Sequence, residues 1–295
     1  MKQISSERSH NWLSFVELIE KLAPLPAPDQ PADVWLFRGE ADADAGLVPS
    51  IEKYDFLKPV RETEHLMLYD FQTGAPLVAA DDVPPETDLA GWLSLMRHHG
   101  VPTRLLDWSY SPYVAAYFAL ARKTAGDTSA VWVLNMTVVE SRAMQVARRL
   151  NWSPLPNGRL DFSEPHFLQS YALTPKYEES RHRGTGLVVP ILPRSRSQRL
   201  VNQQGIFLLN CNYEMSFWDS LTAMMEPPKG AAVENWIRRI EIPRSERLSI
   251  LRRLFQQNTH PFTLFSDLDS LGKSLLLKRE LYPEGSLRLP ASWND

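Results

Sequence analysis

The chain has 295 residues, 43% hydrophobic and 23% charged, with a formal net charge of -3 and a single cysteine. Enough apolar content is present for a full-sized core, so a disordered chain is excluded, and no global basic field draws the protein to nucleic acid or membrane. One cysteine excludes an internal disulfide, no apolar run reaches the roughly 18 residues that span a bilayer, and the amphipathic, acid-bearing start resembles neither a signal nor a transit peptide, so the expected setting is the cytoplasm.

Residues 6–22 predict a helix, with Trp12, Phe15, Val16, Ile19 and Leu22 at helical spacing. The four prolines of "PLPAPDQPAD" (24–33) cannot continue it and read as a linker. Residues 1–33 are thus expected to form an N-terminal helix and Pro-rich linker, too short to separate independent domains, ahead of a domain over 34–295. "VWLFRGE" (34–40) is apolar on both faces, as a central strand is. A helix is expected over 60–72 and a loop over 76–88. A helix through "LAGWLSLMRHH" should stop at Gly100, a common C-terminal signal. Ser111 and Pro112 suit the N-cap and first position of the next helix, with Val114, Ala115, Phe118 and Ala121 as its buried face. The pattern then turns to strands, at 129–136, 185–192, 204–212 and 236–243. Two helices close the chain, at 245–258 and 266–281. The expected fold is α+β: a single domain with a mixed β-sheet core flanked by helices.

Several motifs fail on inspection. "LGKSLLL" (271–277) imitates the end of a phosphate-binding loop, but Asp267 stands where its first glycine must be. "GTGLVV" (184–189) begins like a dinucleotide fingerprint, but Val189 replaces the third glycine. Cys211 lies within a strand pattern and reads as a buried, inert thiol.

Four positions are harder to assign to packing alone. Arg38 shares a strand face with Val34 and Leu36, so it must be paired, with Asp107 as the natural partner, or must hold an anion at the sheet edge. Gly39 beside it permits close backbone approach. Asp107 can cap a local turn, or serve Arg104 or Arg38 as a bidentate partner. His98 and His99 should point about 100° apart on a helix, which makes one shared metal an unlikely partner; imidazoles at a helix C-terminus are the plainer reading.

The strings "FRGE" (37–40), "LVPSI" (47–51), "RHHGVPTRLLDWSYSPYVAAYFAL" (97–120), "NQQGIFLLN" (202–210) and "FTLFSDLDSLGKSL" (262–275) occur in that order. Together they resemble the FRG domain family, named for its Phe-Arg-Gly motif, with Arg97 where that family commonly has Gln. The order of parts is more loosely similar to ADP-ribosyltransferases, including the mono-transferase toxins. Those carry an aromatic-Arg-Gly that binds NAD on their first core strand, then a Ser/Thr-rich strand leading into an Ala-x-x-Phe-Ala helix, then a strand bearing a catalytic glutamate. "DWSYSPYVAAYFA" is similar to the second element, and "NQQGIF" falls at the third with glutamines in place of Glu.

The resemblance implies an ADP-ribosyltransferase-like fold and an NAD-dependent mono-ADP-ribosyltransferase. Such an enzyme uses NAD as substrate and no metal. Its setting would be a toxin or phage-defence effector that modifies RNA, DNA or protein under control of an inhibitor protein, with no membrane partner. The expected catalytic set is Arg38, His98, Asp107 and Gln203. NAD would contact Phe37, Arg38, Gly39, His98, His99, Thr103, Arg104, Asp107, Ser109, Tyr113 and Gln204. Arg38 would clamp the pyrophosphate and residues 98–109 would meet the ribose hydroxyls. Asp107 would supply the charge of the missing Glu, with Glu40 or Glu241 as substitutes. Tyr110, Tyr113 or Phe118 would stack on nicotinamide. If Gln203 and Gln204 lie in a strand, only one can face the site, and Gly205 favours Gln203. The basic strip over 179–199 suits a nucleic-acid acceptor, or is a solvated loop. An NAD glycohydrolase and a non-enzymatic nucleotide- or protein-binding module are the alternatives.

Overall fold

The structure is a computed structural model that describes residues 4–26, 29–79, 83–124, 126–150, 161–164, 167–168, 184–226 and 236–283. Seven strands form one mixed sheet: β1 (Ser6–Arg8), β2 (Trp35–Glu40), β3 (Leu105–Ser109), β4 (Thr128–Asn135), β5 (Val188–Ile191), β6 (Gly205–Asn210) and β7 (Ile237–Pro243). Their order is β1-β7-β4-β2-β3-β6-β5, with β1 parallel to β7 and every other pair antiparallel.

Strand alternation sends side chains to two cores. Phe37, Val131, Val133, Ile240 and Ile242 face one of them. It is closed by α1 (Trp12–Leu22), α4 (Pro112–Ala121), α8 (Arg247–Gln256), α9 (Pro261–Phe265) and α10 (Leu268–Leu281). Leu36, Trp132 and Leu134 face the other. That side is covered by α2 (Val60–Gly74), α3 (Leu89–His98), α5 (Met136–Arg149) and α7 (Phe217–Met224). A short helix, α6 (Gln198–Asn202), precedes β6. Among the described residues no helix is long and apolar enough to cross a membrane.

The N-terminal expectation needs correction. Helix α1 starts at Trp12 because Asn11 caps it, accepting from Ser14 N at 3.0 Å in a capping box. Residues Ser6–Arg8 instead pair with Arg239–Glu241 of β7. Phe15 of α1 is fully buried against the sheet. Helices α5 and α7 were not expected. Asn135 and Ser216 cap them, and Val139, Ala143 and Val146 give α5 its buried stripe. Helix α4 buries Ala116, Tyr117, Ala119 and Leu120 as well as Val114 and Ala115, while Phe118 and Ala121 are only partly covered.

The feature that positions the site is a seam. Strand β2 pairs with β4 over six residue pairs, and β3 with β6 over five, but β2 and β3 meet only at Phe37 and Ser109. The sheet is therefore two half-sheets joined at one pair.

Candidate active site

A cavity of about 660 Å³ lies where β2 and β3 part, within the usual range of roughly 300–1,000 Å³ for small-molecule sites. Its walls come from β2 (Phe37, Arg38, Gly39, Glu40), β3 (Asp107, Trp108, Ser109), the end of α3 (Ser94, Arg97, His98), α4 (Val114, Ala115, Phe118) and α6 (Arg199, Leu200) with Gln203. The turn Ser50–Lys53 and Tyr54 form its rim. Five cationic side chains line it, Arg38, Lys53, Arg97, Arg122 and Arg199, against two carboxylates, Glu40 and Asp107. A protein of net charge -3 thus carries a locally electropositive cleft, which fits an anionic ligand.

Arg38 is held from two sides. Its Nε donates to Glu40 Oε1 at 2.8 Å, and its Nη2 lies 2.7 Å from the same oxygen. Glu40 is two residues along the same strand and so on the same face. Nη1 donates to the Asp107 carbonyl at 2.7 Å and lies 3.8 Å from Asp107 Oδ2. The side chain thus supplies a donor to β3 beyond the point where strand pairing has stopped.

The Asp107 carboxylate belongs mainly to Arg97, whose Nε and Nη2 reach Oδ2 at 3.0 and 2.7 Å. Burial would raise its pKa, but Arg97, Arg38 and Arg199 outweigh that and hold the carboxyl below its ordinary value. His98 lies on the same wall with its Nδ1 buried and without a hydrogen-bond partner. Burial, with the positive Arg199 and the neighbouring His99, lowers its pKa, so the ring is neutral near neutral pH. Ser109 Oγ donates to the Gln203 carbonyl at 2.7 Å and accepts from Ser111 N at 2.9 Å. It fixes β3 to the end of α6.

Some expected contacts are elsewhere. Arg104 is 1% exposed and lies outside the cavity. It bonds Glu64 of α2 at 2.7 Å, the Asn210 carbonyl at 2.7 Å and Tyr213 Oη at 2.8 Å. Thr103 is fully buried away from the cleft, where its backbone exchanges hydrogen bonds with Ser50 Oγ. Tyr113 stacks on Trp12 of α1 at 5.6 Å, and Tyr110, exposed, does not line the cavity either. His99 is exposed and outside the lining. The two imidazoles do not diverge: they stack at 4.9 Å because His99 is already past the last helical residue. Glu241 binds Ser6 and Arg239 near the β1 edge.

The glutamine pair is also corrected. Neither residue is in β6: Gln203 caps α6 and Gln204 has φ 47°, so the chain turns there before the strand begins at Gly205. Gln203 lines the cavity, but its Nε2 donates to the Leu264 carbonyl at 3.2 Å. Gln204 turns away, its carbonyl accepting from Tyr110 N. The glycines serve packing. A Cβ on Gly39 would collide with the Ala115 carbonyl and Ala119 N of α4, and one on Gly205 would meet Leu200.

Among the charged cleft residues, Lys53, Arg97, Arg122 and Arg199 have no role assigned from the sequence, nor has Glu40 as the partner of Arg38. The i, i+2 spacing of Arg38 and Glu40 was the available signal for the last. Of the basic strip, residues 179–183 lie outside the described residues, Arg194 pairs with Glu164 at 2.7 Å, and Arg199 enters the cleft. No group of three His, Cys, Asp or Glu side chains that could hold a metal occurs among the described residues.

Residues 33–128 match the FRG domain family. That span runs from just before β2 to the first residue of β4 and includes Arg38, Arg97, His98, Asp107 and Ser109, whereas Arg199 and Gln203 lie beyond it. No curated protein and no solved structure matches the chain.

Proposed function

We propose that this chain, which carries an FRG domain over residues 33–128, is an NAD-dependent mono-ADP-ribosyltransferase that acts on a macromolecule in the cytoplasm. The observation that carries the reading is the electropositive cavity at the seam between β2 and β3, large enough for a dinucleotide. Strands β2, β3 and β6 are neighbours, so Arg38, Ser109 and the Gln203 turn meet at one cleft. These are the three elements on which the resemblance to ADP-ribosyltransferases rests. The free, buried Cys211 suits a reducing compartment.

In the reaction the nicotinamide–ribose C–N bond breaks and nicotinamide leaves with the electron pair. The anomeric carbon gains positive charge, and an acceptor lone pair forms the new bond. Asp107, held ionised by its guanidinium neighbours, places negative charge in the cleft for the developing cation. His98, neutral and on the cavity wall, is suited to take the acceptor's proton. Phe118 offers a partly covered ring on the cavity wall.

A binding module without chemistry is the second reading. It is favoured by the fact that both cleft carboxylates are ion-paired and that the Gln203 amide is tied to Leu264. NAD labelled in its adenylate phosphate separates the possibilities when incubated with the protein and a cell extract. We expect label on a macromolecule. Free labelled ADP-ribose would instead indicate a glycohydrolase. Unchanged NAD that co-elutes with the protein would indicate a binding module, and no association of any kind would reject an NAD cleft.

A further inference from the structure

We infer that the diphosphate seat of this cleft is built on Arg199 of α6, backed by the ring of Phe265, and that Arg38 is a positioning residue rather than the anion clamp. In naming a dinucleotide as the source of the diphosphate, this rests on the function proposed above; the anion seat itself does not.

The carboxylates already in place lead there. Arg38 turns Nε and Nη2 to Glu40 and one Nη1 donor to the Asp107 carbonyl. Arg97 turns Nε and Nη2 to Asp107. A ligand anion near either must compete with a carboxylate already in place. Lys53 and Arg122 carry no such partner among the described residues but are exposed, where water solvates them. Arg199 differs from all four. It lines the cavity, is half-buried, and makes no side-chain hydrogen bond or ion pair to a carboxylate among the described residues. Burial lowers its pKa, Asp107 and Asp267 pull it back up from a distance, and Arg97 adds to the push. A half-buried guanidinium that shares a cleft with other cations and, among the described residues, has no carboxylate within ion-pair distance is a costly arrangement without an anion to receive its fork.

The side chain is also held ready. Its guanidinium carbon lies 4.6 Å from the Phe265 ring centroid, a cation–π contact that restrains the side chain. Phe265 in turn meets Phe118 edge-on at 6.0 Å. Helix α9 is tied to α6 by Gln203 Nε2 on the Leu264 carbonyl and by Asn202 Nδ2 on Ser266 Oγ at 2.7 Å.

The test is isothermal titration of the full chain with inorganic pyrophosphate and, separately, with NAD, for the wild type, Arg199→Gln, Arg199→Lys and Phe265→Leu. We expect Arg199→Gln to weaken pyrophosphate about tenfold to a hundredfold, the usual worth of a charge-assisted fork. Arg199→Lys should recover little of this, because an ammonium cannot present a planar fork stacked on Phe265. Phe265→Leu should fall between wild type and Arg199→Gln. Without ligand, Arg199→Gln should melt at or above the wild-type temperature, a result that shows the loss is not unfolding. Pyrophosphate affinity unchanged in Arg199→Gln, or no binding to the wild type, overturns the inference. If pyrophosphate binds through Arg199 but NAD does not bind, the seat stands and the NAD reading fails. If NAD binds equally to both proteins, the NAD reading survives and the seat is wrong.

Discussion

Arg104 and Asp107 are three residues apart at the start of β3, yet they belong to opposite kinds of charge cluster. Around Arg104 everything is matched: Glu64, the Asn210 carbonyl and Tyr213 Oη receive its donors, and its guanidinium carbon lies 3.8 Å from the Tyr213 ring centroid. Around Asp107 the charges do not balance, since Arg97, Arg38 and Arg199 converge on one carboxylate and Glu40. The first cluster is sealed under α2 and holds the fold. The second opens into the cavity and has cation to spare. Residue types alone do not separate a structural ion pair from a ligand site; the completeness of the pairing does.

The sealed cluster should be the one that fails hardest. Glu64→Gln leaves a buried guanidinium without its counter-charge and should cost about 3–5 kcal/mol in urea unfolding. The double variant Glu64→Leu, Arg104→Met should regain most of that loss, because an apolar pair of similar volume needs no counter-ion. A single-variant cost under about 1 kcal/mol would erase the distinction drawn between the two clusters.

Glu52 sits between the clusters and sharpens the contrast. It belongs to the cavity-rim turn, accepts from Phe217 N at 3.0 and 3.2 Å at the start of α7, and feels Arg104. Burial, opposed by the Phe217 and Asn210 hydrogen bonds and by Arg104, pushes its pKa from 4.5 up to about 7. A carboxyl whose folded pKa is raised lends stability that is present in full below about pH 4.5 and is lost as pH climbs through about 7. Unfolding free energy should therefore fall between those limits, by ~1–2 kcal/mol after allowance for its partial exposure. Glu52→Gln keeps an acceptor for Phe217 N and should remove this slope, making the variant the more stable protein at pH 7.5. Identical pH profiles for the two proteins would show that Glu52 is not the titrating group.

The open cluster should show the smallest change in stability and the largest in chemistry. Asp107→Asn keeps an acceptor for Arg97, so the unfolding free energy should stay within about 1 kcal/mol of wild type. Single-turnover label transfer from NAD should nearly vanish, because the negative charge opposite the developing cation is gone. Near wild-type transfer by a folded Asp107→Asn would move that role to Glu40.

Much of the frame was legible because it follows local rules. The Ser-capped, Pro-started helix α4 and the apolar runs of β2, β4 and β6 are written in short stretches. β1 was not legible, since three polar residues become a strand only where β7 offers them an edge. The site was half legible. Arg38, His98 and Asp107 do share one cavity, but their partners depend on which helix covers which strand. Arg104 looked like a site residue because nothing in "TRLLD" reveals that Glu64, forty residues earlier, arrives to neutralise it. Arg199 looked like one more charge in a basic loop because its distinction is a half-buried place on the cavity wall against Phe265, which only three dimensions can show.

Gly39 decides how a variant library for this protein has to be drawn. The Phe-Arg-Gly string reads as a single signature, but its letters answer to different neighbours: Phe37 to the core under α4, Arg38 to Glu40 and β3, and Gly39 to the backbone of α4 itself. Replacing the triplet as a block would mix a core deletion, a cleft lesion and a strand–helix collision. Its phenotype would be a missing protein whichever letter meets the ligand. An inactive yet intact control has to be sought on α6 or at Asp107, where a change alters charge in the cavity without asking the sheet and its helix to move apart.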